Sequence, residues 1–531
     1  MFNIPTQRLA KVTVTEPVGA VTLSVNPIVE AALSFTPRHL LLRVDAKSTT
    51  AATVIGGRVQ LNGDTASNYN SEQLYSTGTT PAAANSTSSS SFYFGGLDGS
   101  DSNEFGGGEL LIPDALSTRT HKSFVGMTAV GDAFNAVVGG RWNSTAAVTS
   151  VTYFPSAGNL DAGSTIELCV VDESFNINEQ IKTGSGTFTV SSISAADGDL
   201  VVIGNLRSNR TAYSGDNAEF HFNGDTSVSN YHIQVLQGYQ SSVQAYSANA
   251  SWYVFSTPSS ASTANVFGAG VAQIANFSDG SNDRAITAIA GWVSGSGAGG
   301  SSAGLTSTRW NNTAAINSIL VVPSDSTSYV ANSMLSTYAV PKNQITRTEL
   351  GSAAASVTFS SIPQTYDHLE VSWYANSDEN VTALRGVSTT FNGDTGANYS
   401  AQVLEGTGTG TGAASLAGQT SMGFAALTEG KSGAANEMSS GSFTIQNYTK
   451  TDRYKNLLAG YGVNQRRVQL GSNRWHSTAA VTSITLTQDG SGSFIAGSVF
   501  TLRGINSTVA AAATDIETIN GIAAADIEAV N

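Results

Sequence analysis

Phe391-Asn392-Gly393-Asp394-Thr395 is the stretch that decides the fold, because nearly the same five residues occur three times in the chain. The earlier copies are Leu61-Asn62-Gly63-Asp64-Thr65 and Phe222-Asn223-Gly224-Asp225-Thr226. Asn and Gly both tolerate a positive φ, so an Asn-Gly pair between apolar runs predicts a type I′ turn that joins two strands as a hairpin. Its recurrence predicts three copies of one β-rich unit.

A second block follows each Asn-Gly block at a nearly constant distance. It begins with an Arg-Trp pair and continues with small residues, as in Arg474-Trp475-His476-Ser477-Thr478-Ala479-Ala480-Val481. The earlier pairs are Arg141-Trp142 and Arg309-Trp310. Both blocks recur with a step of about 165 residues, the size of an ordinary domain. Weaker markers keep the same step, namely strand-like triplets that begin at Leu40, Leu200 and Leu369, and the residues Asn103, Asn265 and Asn436.

The composition indicates strands rather than helices. Only 12% of the residues are charged and 40% are apolar, and stretches such as Ser356-Val357-Thr358-Phe359 alternate with the period of a half-buried strand. Many short strands with Gly-rich turns predict an antiparallel β-sandwich of the jelly-roll type. We therefore predict an all-β chain of three tandem sandwich domains, 1–174, 175–342 and 343–505, which stack as beads, followed by an attachment tail at 506–531.

The tail has a short pattern of its own, Asp515-Ile516-Glu517 followed by Asp526-Ile527-Glu528. A frayed helix, a pair of short strands and an attachment peptide are all compatible with it. Its Ile and Val residues have nothing to pack against within so short a segment. We therefore expect a partner chain or a symmetry mate to cover them.

Charge and cysteine content exclude several classes of protein. A formal net charge of −14 argues against a nucleic-acid binder, and no apolar run is long enough to predict a membrane span. The first 30 residues lack the basic and apolar blocks of a signal peptide. The single cysteine, Cys169, lies in an apolar run and is predicted to be a buried strand residue. Without disulfides, stability is expected to come from large sheets and from a homo-oligomer, with a trimer favoured.

Candidate chemistry is sparse. The Asn-Gly-Asp-Thr loops offer too few oxygen ligands for calcium, and turn capping explains them better. The Arg-Trp pairs could form a sugar platform, but recurrence at one register favours a core Trp, with the Arg stacked on it or paired to an acid at the domain edge. No histidine recurs in all three copies, and the equivalent His39 and His368 are predicted to serve turns. No catalytic, cofactor-binding or metal-binding residue and no cofactor is predicted, nor is an enzyme expected. The predicted structural markers are Asn62, Gly63, Asp64, Asn223, Gly224, Asp225, Asn392, Gly393, Asp394, Arg141, Trp142, Arg309, Trp310, Arg474 and Trp475.

The third copy resembles tandem β-sandwich domains of structural proteins from tailed bacteriophages. The resemblance rests on the two blocks described above, on Val357-Thr358-Phe359-Ser360-Ser361-Ile362-Pro363, and on Phe494-Ile495-Ala496-Gly497-Ser498. It implies a virion structural protein, a fibre, appendage or decoration subunit of the head or tail, which contacts the host surface. It also implies a place on the virion surface after assembly in the host cytoplasm, with other virion proteins bound through residues 506–531.

A second hypothesis is a carbohydrate-binding adhesin that holds a host surface glycan through the loop aromatics Tyr69, Trp252 and Tyr399. A polysaccharide depolymerase is a more distant third, because no pair of carboxylates can be selected from sequence spacing alone.

Overall fold

Nearly all of the regular structure is β-strand. The computed structural model describes the chain except for residues 1–3, 26–32, 34–35, 37, 195–197, 250, 295–299, 326, 341–344, 380–383, 429, 431–435, 464–465 and 506–531. The predicted attachment tail therefore lies outside the described residues. Within them, the helical segments are two short 3₁₀ turns, Glu173–Phe175 and Val228–Asn230.

Each repeat contributes twelve strands. Repeat 1 contains β1 (Thr6–Thr13), β2 (Val21–Ser24), β3 (Leu40–Ala46), β4 (Ile55–Leu61), β5 (Tyr69–Thr77), β6 (Thr80–Ser89), β7 (Phe92–Leu97), β8 (Gly106–Ile112), β9 (Lys122–Val130), β10 (Phe134–Trp142), β11 (Ser150–Pro155) and β12 (Thr165–Val171). Repeat 2 contains β13 (Asn176–Ile181), β14 (Phe188–Val190), β15 (Asp199–Leu206), β16 (Gly215–Phe222), β17 (Tyr231–Tyr239), β18 (Ser242–Ala248), β19 (Tyr253–Pro258), β20 (Gly268–Ile274), β21 (Arg284–Val293), β22 (Ser301–Trp310), β23 (Ile319–Pro323) and β24 (Met334–Val340). Repeat 3 contains β25 (Thr346–Glu349), β26 (Ser356–Phe359), β27 (His368–Ala375), β28 (Arg385–Phe391), β29 (Tyr399–Thr407), β30 (Gly410–Gln419), β31 (Met422–Thr428), β32 (Ser439–Gln446), β33 (Lys455–Val463), β34 (Arg467–Trp475), β35 (Ile484–Gln488) and β36 (Val499–Ile505).

The strands of each repeat form one 8-stranded and one 4-stranded sheet. In repeat 1 the orders are β1-β12-β3-β8-β9-β10-β5-β6 and β2-β11-β4-β7, and the equivalent strands of repeats 2 and 3 follow the same orders. Neighbouring strands pair antiparallel, as between β3 and β12 or β9 and β10. The prediction of three tandem antiparallel β-sandwiches is confirmed.

The Asn-Gly pairs adopt the predicted conformation but do not form hairpins. Asn62 and Gly63 have φ of 54° and 65°, and Asp64 N donates to Leu61 O at 3.0 Å to close the turn. The strand before the turn, β4, belongs to the 4-stranded sheet, and the strand after it, β5, belongs to the 8-stranded sheet. The hairpin prediction is therefore wrong, because the turn carries the chain from one layer of the sandwich to the other.

One face of each 8-stranded sheet covers the core of its own sandwich. In β3, Leu40, Leu42 and Val44 belong to the core that packs against the 4-stranded sheet. Successive side chains of a strand point to opposite faces, so Leu41 faces the other way. It is nevertheless fully buried, and burial of such a side chain contributes about 1.5–3 kcal/mol.

The opposite faces of the three 8-stranded sheets pack against one another in a shared central core. This core joins aliphatic side chains from every repeat, among them Leu41, Val125, Val137, Val201, Ile203, Ile289, Leu305, Leu404, Val468 and Leu470. The prediction that the domains stack as beads is therefore wrong. Continuous apolar runs such as Leu200-Val201-Val202-Ile203 are typical of strands that are buried on both faces, and the second face is covered here by the other repeats.

Equivalent buried side chains close the three repeats into a ring. They occupy the same position of β5, β17 and β29, and each is fully buried: Glu72, Gln234 and Gln402. Glu72 Oε1 accepts a hydrogen bond from Ser241 N of repeat 2 at 3.0 Å. Gln234 donates to Gly408 O of repeat 3 at 3.0 Å, and Gln402 donates to Gly78 O of repeat 1 at 2.6 Å. Each repeat thus contacts the next in the same sense, and the third contacts the first, which is the pattern of a closed head-to-tail assembly.

The recurring asparagines of the weaker marker take part in the same closure. Their carbonyl oxygens accept a hydrogen bond from the residue that precedes β9, β21 or β33 of the neighbouring repeat. The three bonds are His121 N to Asn265 O at 3.3 Å, Asp283 N to Asn436 O at 2.9 Å, and Tyr454 N to Asn103 O at 2.9 Å. We call the contacts of repeats 1 and 2, 2 and 3, and 3 and 1 the first, second and third junctions.

Glycine lets the sheets of repeats 1 and 2 approach each other closely. A Cβ atom at Gly139 of β10 would lie 2.5 Å from the Cα of Gly291 in β21. Backbone atoms line this contact, so neither side can yield without moving a strand of the ring. Two backbones can approach this closely only where side chains are absent.

We expect Gly139→Val to weaken the first junction because the added side chain meets backbone rather than a movable side chain. The free energy of unfolding should fall by about 3 kcal/mol, at the upper end for an overpacked site. Chemical denaturation of the full chain measures this loss. Gly351→Val is the matched control, since a Cβ at Gly351 has nothing within 4 Å. An equal loss for both variants would contradict the close packing described here.

Candidate functional site

The Asn-Gly-Asp block and the tryptophan of the Arg-Trp block meet in each repeat. Trp475 Nε1 donates to Asp394 Oδ2 at 2.7 Å, and Asn398 Nδ2 donates to the same oxygen at 2.9 Å. Gly396 N donates to the other carboxylate oxygen at 2.8 Å. The equivalent indole bonds are Trp142 to Asp64 at 2.7 Å and Trp310 to Asp225 at 2.8 Å. We call this arrangement the Trp–Asp lock.

The asparagine of each block ties the turn to the segment between the tryptophan and the next strand. Asn392 Nδ2 donates to Ala480 O at 2.7 Å, and its Oδ1 accepts from Thr482 N at 2.8 Å and from Ser483 N at 3.1 Å. Asn62 and Asn223 make the same bonds in their repeats. The two sequence blocks are therefore the halves of one structural contact, which explains their common spacing.

A buried tyrosine completes the lock. Tyr399 OH donates to Asp394 O at 3.0 Å and accepts from Phe391 N at 3.1 Å. Tyr69 and Tyr231 occupy the equivalent positions, and all three side chains are fully buried. Tyr69 and Tyr399 are therefore inaccessible to a ligand, and their proposed role in stacking on a sugar is wrong. Asn-Tyr after the turn is the sequence signal for this buried hydroxyl.

Hydrogen bonding explains why each Trp–Asp lock contains an aspartate. The bonds from Trp475 and Asn398 lower the pKa of Asp394, so that carboxylate is charged at neutral pH. The calcium alternative needs several more oxygen ligands to converge. Among the described residues, no group of three or more His, Cys, Asp or Glu side chains is placed to hold a metal ion.

The arginines of the Arg-Trp pairs lie at the junctions of the ring rather than in the locks. All three are buried, with at most 4% of each residue exposed. Arg309 Nε donates to Asp283 Oδ2 at 2.9 Å, and Arg474 forms an ion pair with Glu104 across the third junction. Arg309 and Arg474 are therefore paired to acids, one of the two alternatives expected from the sequence. Arg141 instead lies 3.4 Å from His121 Nδ1.

The equivalent histidines serve turns, as predicted, and also reach the next repeat. His39 Nδ1 accepts from Asp114 N at 3.0 Å, and His368 Nδ1 accepts from Asn447 N at 3.1 Å. On its other side, His368 Nε2 lies 3.3 Å from Glu167 Oε2 of repeat 1. Cys169 is fully buried on β12, which confirms that prediction. Neither the histidines nor the cysteine forms a recognisable catalytic arrangement.

An exposed aromatic side chain that the sequence did not single out lies on repeat 2. Tyr213 is 66% exposed, and the guanidinium of Arg210 lies 4.6 Å from the centre of its ring. Trp252, by contrast, packs 3.9 Å from the ring of His221 and is partly buried. A ring that faces solvent next to a cation suits stacking on a sugar. Neither Arg210 nor Tyr213 recurs at the equivalent positions of the other copies, so repetition could not reveal this pair.

Two cavities in the described part of the chain differ in size and lining. One of about 30 Å³ lies at the third junction and is lined by Gly108, Met127 and Thr444, among others. It has room for a water molecule or two rather than an organic ligand. A cavity of about 380 Å³ in repeat 1 contains Asp114 and Arg119, whose side chains bond to each other at 2.9 Å.

No helix in the described part of the chain is long and apolar enough to cross a membrane. No family model matches the sequence, and no curated protein matches it either.

Several solved structures show distant similarity to this chain. Domains LG4-5 of the mouse laminin α1 chain are 10% identical, with a TM-score of 0.15, over 63% of this chain and 90% of that one. The binding domain of botulinum neurotoxin serotype C1 is 7% identical, with a TM-score of 0.09, over 61% and 95%. A structure of botulinum neurotoxin type C, whose cell entry depends on two ganglioside molecules, is 8% identical, with a TM-score of 0.09, over 59% and 89%. Similarity at this level assigns neither a family nor a function.

We expect the Trp–Asp lock to stabilise the fold in its ionised form. A carboxyl whose pKa is lowered by folding stabilises the folded state above its unfolded pKa and loses that contribution as the pH falls through its folded pKa. Asp394→Asn should therefore lower the free energy of unfolding at neutral pH, by about 1 kcal/mol after allowance for solvent screening. The difference should be smaller at pH 3 than at pH 7, because the contribution of the lowered pKa declines once the pH falls below the ordinary value for aspartate.

Urea denaturation of the full chain at the two pH values measures the effect. Glu16→Gln, at an exposed carboxylate, is the matched control and should give the same small difference at both. A loss for Asp394→Asn that does not change with pH would contradict the role of the charged form.

Proposed function

We propose that this protein is a structural subunit of a bacteriophage virion, a fibre, appendage or decoration subunit carried on the surface of the particle. The observation that carries the proposal is that the recurring residues stabilise the fold. Asn392, Asp394, Tyr399 and Trp475, with their equivalents, hold each sandwich together. The recurring asparagines Asn103, Asn265 and Asn436 contact the neighbouring repeat. What is retained in all three copies is scaffold.

The geometry of the ring supports a place on a particle. The three repeats contact one another head to tail and so present three related outer surfaces. This arrangement matches the symmetric sites on which oligomeric structural proteins assemble. The sequence resemblance to phage structural domains points to the same role. The prediction that whole chains form a homo-oligomer, a trimer above all, remains part of the proposal, although one chain already contains a three-fold arrangement.

A charge of −14 fits this reading. A large net charge of one sign keeps exposed particle proteins apart and soluble. Stability without disulfides comes from the shared central core, which is closed to solvent. No step of this proposal requires catalysis, and we propose that the protein is not an enzyme.

A glycan-binding adhesin is the second candidate, and the exposed Tyr213 next to Arg210 is the observation that favours it. This pair lies in a loop of repeat 2 rather than among the recurring residues. Binding of this kind would be a property of one repeat carried by the common scaffold. It is compatible with a virion appendage that also contacts the host surface.

Immunogold electron microscopy of purified virions from the phage that encodes the chain tests the primary proposal. Label on the particle surface is expected, and absence of the protein from purified particles would overturn the proposal. Glycan-array binding by the wild type that is lost in Tyr213→Ala, but kept in the control Val228→Ala at another exposed apolar residue, would establish the adhesin candidate.

A further inference from the structure

The second and third junctions compensate a buried arginine with carboxylates. At the second junction, Arg309 donates to Asp283 at 2.9 Å and lies 3.4 Å from Glu437 of repeat 3. At the third, Arg474 pairs with Glu104 of repeat 1 and lies 3.7 Å from Asp98. Glu104 and Glu437 directly follow the recurring asparagines. The neighbouring repeat thus supplies an acid at the same position in both junctions.

The first junction has the arginine but neither acid. The residue after the recurring asparagine of repeat 2 is Val266, where the other repeats have glutamate. The residue that precedes β9 is His121, whereas the equivalent residue before β21 is the acid Asp283. The segment 259–266 contains no acidic residue, so repeat 2 offers no substitute carboxylate from that loop.

Arg141 is left with little compensation within the described structure. The residue is 4% exposed, its contact with His121 Nδ1 is 3.4 Å long, and its Nε has no hydrogen-bond partner. Burial lowers the pKa of Arg141 to about 10, a value at which it still carries its charge at neutral pH. A buried charge without a partner carries a penalty of several kcal/mol.

Other positively charged side chains lie near Arg141 and His121. Arg207 of repeat 2 donates to the carbonyl oxygens of Thr263 at 2.9 Å and Ser262 at 3.0 Å, and it is 8% exposed. Burial, followed by the charges of Arg141, Lys122 and Arg207, lowers the pKa of His121 to about 4. The imidazole is therefore neutral at pH 7 and adds no positive charge of its own.

We propose that the first junction binds a small oxyanion, of the phosphate or sulfate class, at the guanidinium of Arg141, in the place that a glutamate occupies at the other two junctions. The planar guanidinium presents paired N–H donors that match two oxygens of such an anion. Its free Nε provides one of them, and Arg207 adds long-range attraction. The anion would supply the negative charge that the other two junctions take from a glutamate. This proposal concerns the fold alone and does not depend on a role of the protein on a particle.

Isothermal titration of the full-length chain with inorganic phosphate tests the proposal, together with thermal unfolding over the same concentrations. We expect one phosphate per chain and a Tm that rises with phosphate concentration, because a ligand of the folded state stabilises it. Arg141→Gln should lower the affinity at least tenfold and remove the rise in Tm. Arg309→Gln, at the second junction, is the matched control and should leave phosphate binding unchanged.

A second pair of variants keeps the test decisive if loss of Arg141 prevents folding. His121→Asp supplies the acid of the second junction, and Val266→Glu supplies the acid found in the other two repeats. Either should abolish phosphate binding while the Tm without phosphate stays equal to or above that of the wild type. Failure of the wild type to bind phosphate, or binding that persists in Arg141→Gln and His121→Asp, would overturn the proposal.

Discussion

An 8-stranded sheet with two apolar faces is the constraint on which the rest of the structure depends. The 4-stranded sheet of each repeat covers one face, and the other has no cover within its own sandwich. Exposure of side chains such as Leu41, Ile203 and Leu470 to water would cost roughly 1.5–3 kcal/mol each. Three such sheets that face one another solve the problem together, and a single isolated repeat would lack this cover.

The ring explains why different residues recur for different reasons. Asn392, Asp394 and Trp475 recur because each sandwich needs the same lock between its layers. Gln402 and Asn436 have counterparts in every copy because each repeat must contact the next in the same way. The polar side chains at the three junctions differ, and those differences are where one copy can take on a property that the others lack.

Local features of the fold could be predicted from the sequence, and the ring could not. The positive φ at Asn62 and Gly63 and the burial of Cys169 follow from short-range patterns, and the three sandwiches follow from the repetition of such patterns along the chain. The contact of Gln402 with Gly78 joins residues that are hundreds of positions apart, and no local period records it. The continuous apolar run at Leu40 was the available signal, since a strand with one wet face would alternate. The repeats identify the residues of the Trp–Asp lock but not the hydrogen bonds between them. The prediction that Tyr69 stacks on a sugar is wrong because its constant spacing from the turn does not reveal which way its ring points.

Distances between the three repeats test the closed ring most directly. Thr65, Thr226 and Thr395 are equivalent and exposed, and Cys169 is buried, so each pair of threonines can be replaced by cysteine and spin-labelled selectively. Double electron–electron resonance on the three doubly labelled chains then compares the pairs in the folded protein. A closed ring predicts the same distance for all three pairs. A distance between positions 65 and 395 that is clearly longer than the other two would show a linear string and contradict the account.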